Sequence, residues 1–427
     1  MIGILLIVAC FGTLYFIVRA NTSSVSSKLV VLMLAGFVIR IILQSFVREI
    51  AFFSHEAGGD SEGYEGLAVS IAQVWRVSGF QFMTDDDIPG MGSATLPCNL
   101  FAIVTYLNDG PSRFGCTALI ALAACLTCLN IFHLAVMLGA EEESSFRVVA
   151  VLLFAPAFLL YTSDTYKDGL VAFFVFGALG SGFRLARRFS VLHLLVGLLS
   201  MFALWYVRYY LIFLSSAPLL VGLAGVGSRS TTRPLLAAIV LGAGAIAIAS
   251  YTNIFNEVSS AAEQTFDLAT NENSRTYNSV GAGSGVFFDD GGSQYGALGP
   301  KIVYTLFSPF PWQTGSFGLW MGKVDVAIWY YLFYRAFRAA RRLWQEDRGL
   351  LLTFLTFLIP MTIVYAMTMA NIGLILRQRL PIVMVGALLA MQSWPRKITE
   401  STADSDTDTE EENERDDMAS AQQESSG

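Results

Sequence analysis

Four short stretches of the chain carry side chains suited to acid–base or anion chemistry. The first is His55-Glu56-Ala57-Gly58-Gly59-Asp60-Ser61-Glu62-Gly63-Tyr64, with Glu65 after it. Its glycines let the backbone turn. Asp60 and Glu62 each offer a carboxylate that can take a proton from an incoming hydroxyl or help hold a divalent cation; a solvated acidic loop would use the same residue types. The second is Tyr161-Thr162-Ser163-Asp164-Thr165-Tyr166-Lys167-Asp168. Asp164 or Asp168 can join Asp60 in one acidic site while Lys167 engages a phosphate. Asp164 or Thr165 can equally cap the helix that follows. The third, Trp205-Tyr206-Val207-Arg208-Tyr209-Tyr210, has the aromatic content of an interfacial belt, which accounts for the rings but less well for Arg208. The fourth runs from Asn371 to Pro381 and contains Arg377 and Arg379. A guanidinium fork matches the oxygens of a phosphate or pyrophosphate, and a salt bridge to the first acidic stretch is the plainer use of the same charge.

These groups must be positioned by a hydrophobic body. The chain has 427 residues, 54% hydrophobic and 14% charged, against about 25% charged in an ordinary soluble domain. Mean hydropathy is +0.55. A soluble enzyme, a disulfide-stapled module and a disordered chain are excluded, because apolar runs recur from Met1 to Trp394. The expected fold is all-α, a polytopic transmembrane helical bundle. With ~20 apolar residues needed per span, the candidates are 2–18, 29–47, 115–138, 147–162, 169–183, 190–205, 210–227, 234–251, 316–334, 350–370 and 380–394, about eleven. Residues 100–107 and 302–312 are apolar but short, and read as re-entrant or interfacial pieces. The first stretch lacks the basic leader and cleavage site of a signal peptide.

Basic residues set the orientation. If the spans alternate, Arg19, Lys28, Arg184, Arg187, Arg188, Arg229, Arg233, Arg335, Arg338, Arg341, Arg342, Arg396 and Lys397 share one side, expected to be cytoplasmic. The turn at 139–146, with three glutamates, dissents. The N-terminus then lies outside. So do the polar segments 48–113 and 252–301, and two long loops on one face favour a site between them. The formal charge of −7 comes from the tail, where eleven acidic residues from Glu400 to Glu424 face only Arg415. The tail is −10 and the rest +3. We expect residues 399–427 to be a disordered cytoplasmic appendix. No Cys/His spacing fits zinc, no phosphate-cradling loop or internal repeat is present, and no basic footprint for nucleic acid is seen.

Ordered along the chain, these motifs resemble those of polytopic glycosyltransferases of the GT-C fold, especially bacterial relatives of the protein O-mannosyltransferases. The resemblance spans about residues 30 to 394 and leaves residues 1–28 as an additional N-terminal span. It rests on Asp60 with Tyr64; on Tyr106-Leu107, Gly110-Pro111-Ser112, Pro156, Tyr161 and Lys167-Asp168; on Ser308 to Trp312; and on Asn371, Gly373, Arg377, Arg379 and Pro381. It implies an inner-membrane enzyme that transfers a sugar from a polyprenyl-phosphate donor to a glycan, lipid or protein acceptor outside the membrane. Asp60 is then the base, with Glu62 its competitor, and Asp164 or Asp168 the second acid. Lys167, Arg208, Tyr209, Asn371, Arg377 and Arg379 bind substrate. A metal-assisted form would hold Mg or Mn on Asp60 and Asp168. The alternatives are an O-antigen-type polymerase or ligase, which would place arginines in large external loops, a transporter or flippase, which would favour internal repeats, and a non-catalytic scaffold.

Overall fold

A computed structural model describes residues 2–20, 23–47, 58–224, 298–313, 317–368 and 372–395. The expected span 234–251, the loop 252–301 up to residue 297, Asn371 and the tail 399–427 lie outside them. Every regular element among the described residues is a helix, and the helices belong to one compact unit ending at Trp394. Numbered over the described residues, they are α1 (Ile2–Arg19), α2 (Ser26–Val47), α3 (Gly58–Ser78), α4 (Thr95–Leu107), α5 (Arg113–Met137), α6 (Glu142–Leu153), α7 (Pro156–Tyr161), α8 (Asp168–Arg187), α9 (Val191–Arg208), α10 (Tyr210–Ala224), α11 (Leu298–Phe307), α12 (Phe317–Glu346), α13 (Arg348–Thr368), α14 (Ile372–Gln378) and α15 (Leu380–Met391). By length and composition α1, α2, α5, α8, α9 and α13 can cross a membrane, which makes this a multi-pass helical protein; α10 and α15 are apolar but shorter.

Two expectations about elements change. Within 48–113, most of the described part is helix and not loop: α3 and α4 pack against each other, joined by irregular chain at 79–91 and a 3-10 turn, Gly92–Ala94, that leads into α4. The apolar piece 100–107 is the end of that helix. The expected span 147–162 is two helices that break at Phe154 and Ala155. Pro156 has no N–H to continue the ladder and biases Ala155 towards the extended backbone it adopts (ψ 130°).

The break exposes backbone groups that buried charges satisfy. Arg40 of α2, fully buried, donates from Nη2 to the Leu153 carbonyl at 2.9 Å and from Nε to the Thr162 hydroxyl at 2.7 Å. The Ala157 N–H donates to Asp325 Oδ1 of α12 at 3.3 Å. Arg40 thereby fixes both ends of α7, and so the start of the 162–167 turn. Further on, α8 and α10 touch at Gly182 and Gly222. A Cβ on Gly222 would lie 2.1 Å from the Gly182 carbonyl oxygen, the close backbone approach that small residues permit between membrane helices.

Chain direction sorts the ends of the bundle. Ser24 and Lys28, before and in α2, bond Glu142 and Glu143 of α6, the Lys28–Glu143 pair at 3.0 Å. Of the dissenting glutamates at 139–146, Glu143 thus answers a basic group at its own end, while Glu142 bonds Ser24. Arg335 stacks on Trp394, 3.5 Å from the ring centroid, and Arg187 lies 3.8 Å from Asp347. At the opposite end, the Gly3 N–H donates to Asn108 at 3.3 Å, and α8 starts where α7 leaves off.

Candidate functional site

Four helix termini meet at this second end. Asp60 lies in the first turn of α3 and Asp168 is the first residue of α8, where the positive ends of helix dipoles favour carboxylates. Arg208 ends α9 and Arg377 lies in the last turn of α14, where the negative ends favour cations. Arg377 bridges both acids: Nη1 to Asp60 Oδ2 at 2.6 Å, and Nε to Asp168 Oδ2 at 2.5 Å. Arg208 Nη2 lies 3.6 Å from the other Asp168 oxygen. The Arg377 guanidinium also sits over Tyr166, 4.8 Å from its centroid, and 5.8 Å from that of Tyr161. Asp168, Arg208 and Arg377 are buried, whereas the Asp60 side chain is 53% exposed. The cluster therefore opens to its surroundings through Asp60.

Lys167 completes the group. Its ammonium donates to the Ser93 hydroxyl at 2.7 Å and carbonyl at 3.3 Å, and lies 5.8 Å from the Tyr64 ring. Burial, together with Arg208 and Arg377, pulls its pKa down to about 7. Burial works against ionisation of Asp60, but Arg377, aided by Lys167 and Arg208, outweighs it and holds that carboxyl below the usual carboxylate range. The charged form of Lys167 is penalised in the folded state. The unfolded chain therefore binds more protons between about 7 and the ordinary lysine value of about 10.4, so stability rises with pH across that window. The wild type should gain thermal stability relative to Lys167→Met as pH is raised through it. Parallel melting curves for the two proteins would contradict this placement of the ammonium.

The structure thus joins Asp60, Lys167, Asp168, Arg208 and Arg377. The other residues of the expected set have surroundings of their own. Asp164 is buried and accepts from the Thr165 N–H at 2.8 Å; the N-cap of α8 is Lys167, with no side-chain cap, so neither Asp164 nor Thr165 caps that helix. Glu62 is exposed, and Tyr209 lies between α9 and α10, its ring 6.2 Å from that of Tyr210. Asn371 is outside the described residues. Ser93 went unnoticed because nothing in the sequence marks it as a partner for Lys167.

Arg379 is separated from Arg377. Residues two apart on a helix do not share a face, and Arg379 falls at the junction of α14 and α15. Fully buried, it donates from Nη1 to the carbonyls of Ser308 at 2.7 Å and Leu306 at 3.2 Å, and Nη2 lies 3.8 Å from Asp325. Trp329 Nε1 and the Tyr330 hydroxyl donate to Leu306 and Phe307 at 2.8 and 2.6 Å. Together these side chains satisfy carbonyls that the end of α11 leaves open. Arg379→Ala should therefore destabilise the protein by about 3–5 kcal/mol, since it leaves Asp325 buried without its cation. Thermal melting of the solubilised protein reads this, and an unchanged melting temperature would contradict the assignment.

Mg or Mn on Asp60 and Asp168 does not fit the donor set. The two carboxylates already share the Arg377 guanidinium, and among the described residues no three His, Cys, Asp or Glu side chains are grouped to hold a metal ion. What the arrangement offers is an ionised, half-exposed carboxylate beside three cations. Comparison with models of protein families, with curated proteins and with solved structures finds no match for this chain.

Proposed function

We propose that the chain is an integral-membrane glycosyltransferase of GT-C type, with about eleven spans, the site end of the bundle outside the membrane and the acidic tail in the cytoplasm. It transfers a sugar from a polyprenyl-phosphate donor to an acceptor hydroxyl in glycoconjugate or surface-polysaccharide synthesis. Asp60 removes the acceptor's proton and the freed oxygen attacks the anomeric carbon. The bond from that carbon to the phosphate oxygen breaks, with inversion. Arg377, Arg208 and Lys167 take up the charge left on the phosphate.

The observation that carries this reading is Arg377 itself. Its Nη2 is buried and has no hydrogen-bond partner among the described residues, while its other nitrogens hold the two acids. An unsatisfied buried donor costs about 1–3 kcal/mol; Arg379 carries such donors too, but Arg377 lies beside the half-exposed Asp60, where an arriving phosphate oxygen would use it. The motif resemblance supplies the rest of the reading. The test is to express Asp60→Asn and Arg377→Ala in cells lacking the native protein and to analyse the surface glycan. If both variants reach the membrane normally and the glycan is unchanged, the reading fails.

A further inference from the structure

Beside this cluster lies a cavity of about 470 Å³ that the charged groups do not explain. Gln44 near the end of α2, Glu65 of α3, Thr105 of α4, and Ser112, Arg113 and Phe114 at the start of α5 line it. Its size is within the ~300–1,000 Å³ range of small-molecule pockets. Gln44 is 2% exposed, and its Nε2 has no hydrogen-bond partner among the described residues. A buried amide donor left unsatisfied is costly and calls for a ligand or ordered water.

The wall chemistry narrows the ligand. Arg113 Nε lies 3.9 Å from Glu65 Oε2, so the cation in the wall is answered by an anion in the wall, and a phosphate would find no net positive charge. An acyl or prenyl chain would strand the amide, the carboxylate and the hydroxyls of Ser45, Thr105 and Ser112 against hydrocarbon. Short, directional hydrogen-bonding groups facing an apolar wall of Ala68, Phe101, Pro111 and Phe114 suit a molecule with many hydroxyls on one face and C–H bonds on another, a pyranose or similar polyol.

The cavity is also tied to the cluster. The Thr165 hydroxyl donates to Glu65 Oε1 at 2.8 Å from within the 162–167 turn. Glu65 follows Asp60 by five residues on α3, ~7.5 Å along the helix axis. We infer that this cavity is the subsite for the acceptor, a mono- or disaccharide, linked to the charged cluster through the Thr165–Glu65 bond. The acceptor role rests on the transferase reading; the affinity for sugar does not.

Full-length protein in lipid nanodiscs, free of sugar-based detergent, is titrated with glucose, galactose, mannose and N-acetylglucosamine and their methyl glycosides, and binding is followed by saturation-transfer NMR. At least one sugar should bind the wild type. Gln44→Leu should weaken it at least tenfold, and so should Ser45→Trp, which plugs the cavity from an exposed lining position without touching the core. The inference is overturned if none of the sugars binds, which would mean that the cavity holds water only, or if both cavity variants bind as tightly as the wild type. Sugar binding that depends on Gln44, with a surface glycan indifferent to Asp60 and Arg377, would instead overturn the transferase reading and the acceptor role with it.

Discussion

Arg377→Ala is expected to abolish detectable transfer, by about 10²–10³-fold if the guanidinium acts only on the charge developing at the phosphate, and to destabilise the protein as well. The second effect follows from Asp168, which is buried and would keep only the longer contact to Arg208. Breaking a buried pair by removing one partner costs about 3–5 kcal/mol. Loss of activity in the alanine variant would therefore be ambiguous alone. Arg377→Lys resolves it. An ammonium restores the charge and much of the stability, but as a point donor it cannot span Asp60 and Asp168 while still offering a third bond. The lysine variant should melt near the wild type yet transfer at least tenfold more slowly. Donor-dependent transfer measured on membranes, with melting of the solubilised protein, reads both. Wild-type transfer in Arg377→Lys would show that the fork has no part in the chemistry.

Much of this cluster was legible in the sequence because charge is scarce there. Lys167, Asp168, Arg208 and Arg377 each sit where an apolar helix begins or ends, and ionisable groups at such positions are costly unless paired or used; Asp60 stands out by its place in a glycine-rich acidic stretch. What could not be read was direction. Arg377 and Arg379 look like one motif, but the helix break between them turns Arg379 towards the end of α11, and that break depends on packing. Pro156 was visible and should have divided the span 147–162; the continuous apolar run concealed it, because hydropathy does not register a missing N–H. The segment after residue 57 reads as a polar loop because its glycines and acids depress helix propensity, yet α3 forms by packing on α4, a tertiary gain outweighing a local preference. In the sequence Gln44 is a single amide in an apolar helix. Its importance comes from the cavity beside it, which no periodicity encodes.

The helix termini also explain why a base would be stored in an ion pair. Asp60 bound to Arg377 is held below the ordinary carboxylate range, and so is a weaker base than a free carboxylate. A donor phosphate that takes up the guanidinium would compete with Asp60 for it, and the carboxylate would regain basicity only with the donor in place. This ordering limits idle proton transfer and predicts a specific pH signature. Asp60→Asn should lower kcat by about 10²–10⁴-fold, the usual worth of a positioned general base, with KM for the donor little changed because the phosphate-binding cations remain. In the wild type, the acid limb of kcat/KM reports the free enzyme and that of kcat the complex. The limb in kcat should lie at higher pH, since the complexed Asp60 has lost part of its cation. Arg377→Lys, which holds Asp60 less firmly, should draw the two limbs together. Coincident limbs in the wild type would mean that the donor does not displace Asp60 and that the phosphate engages Arg377 through Nη2 alone.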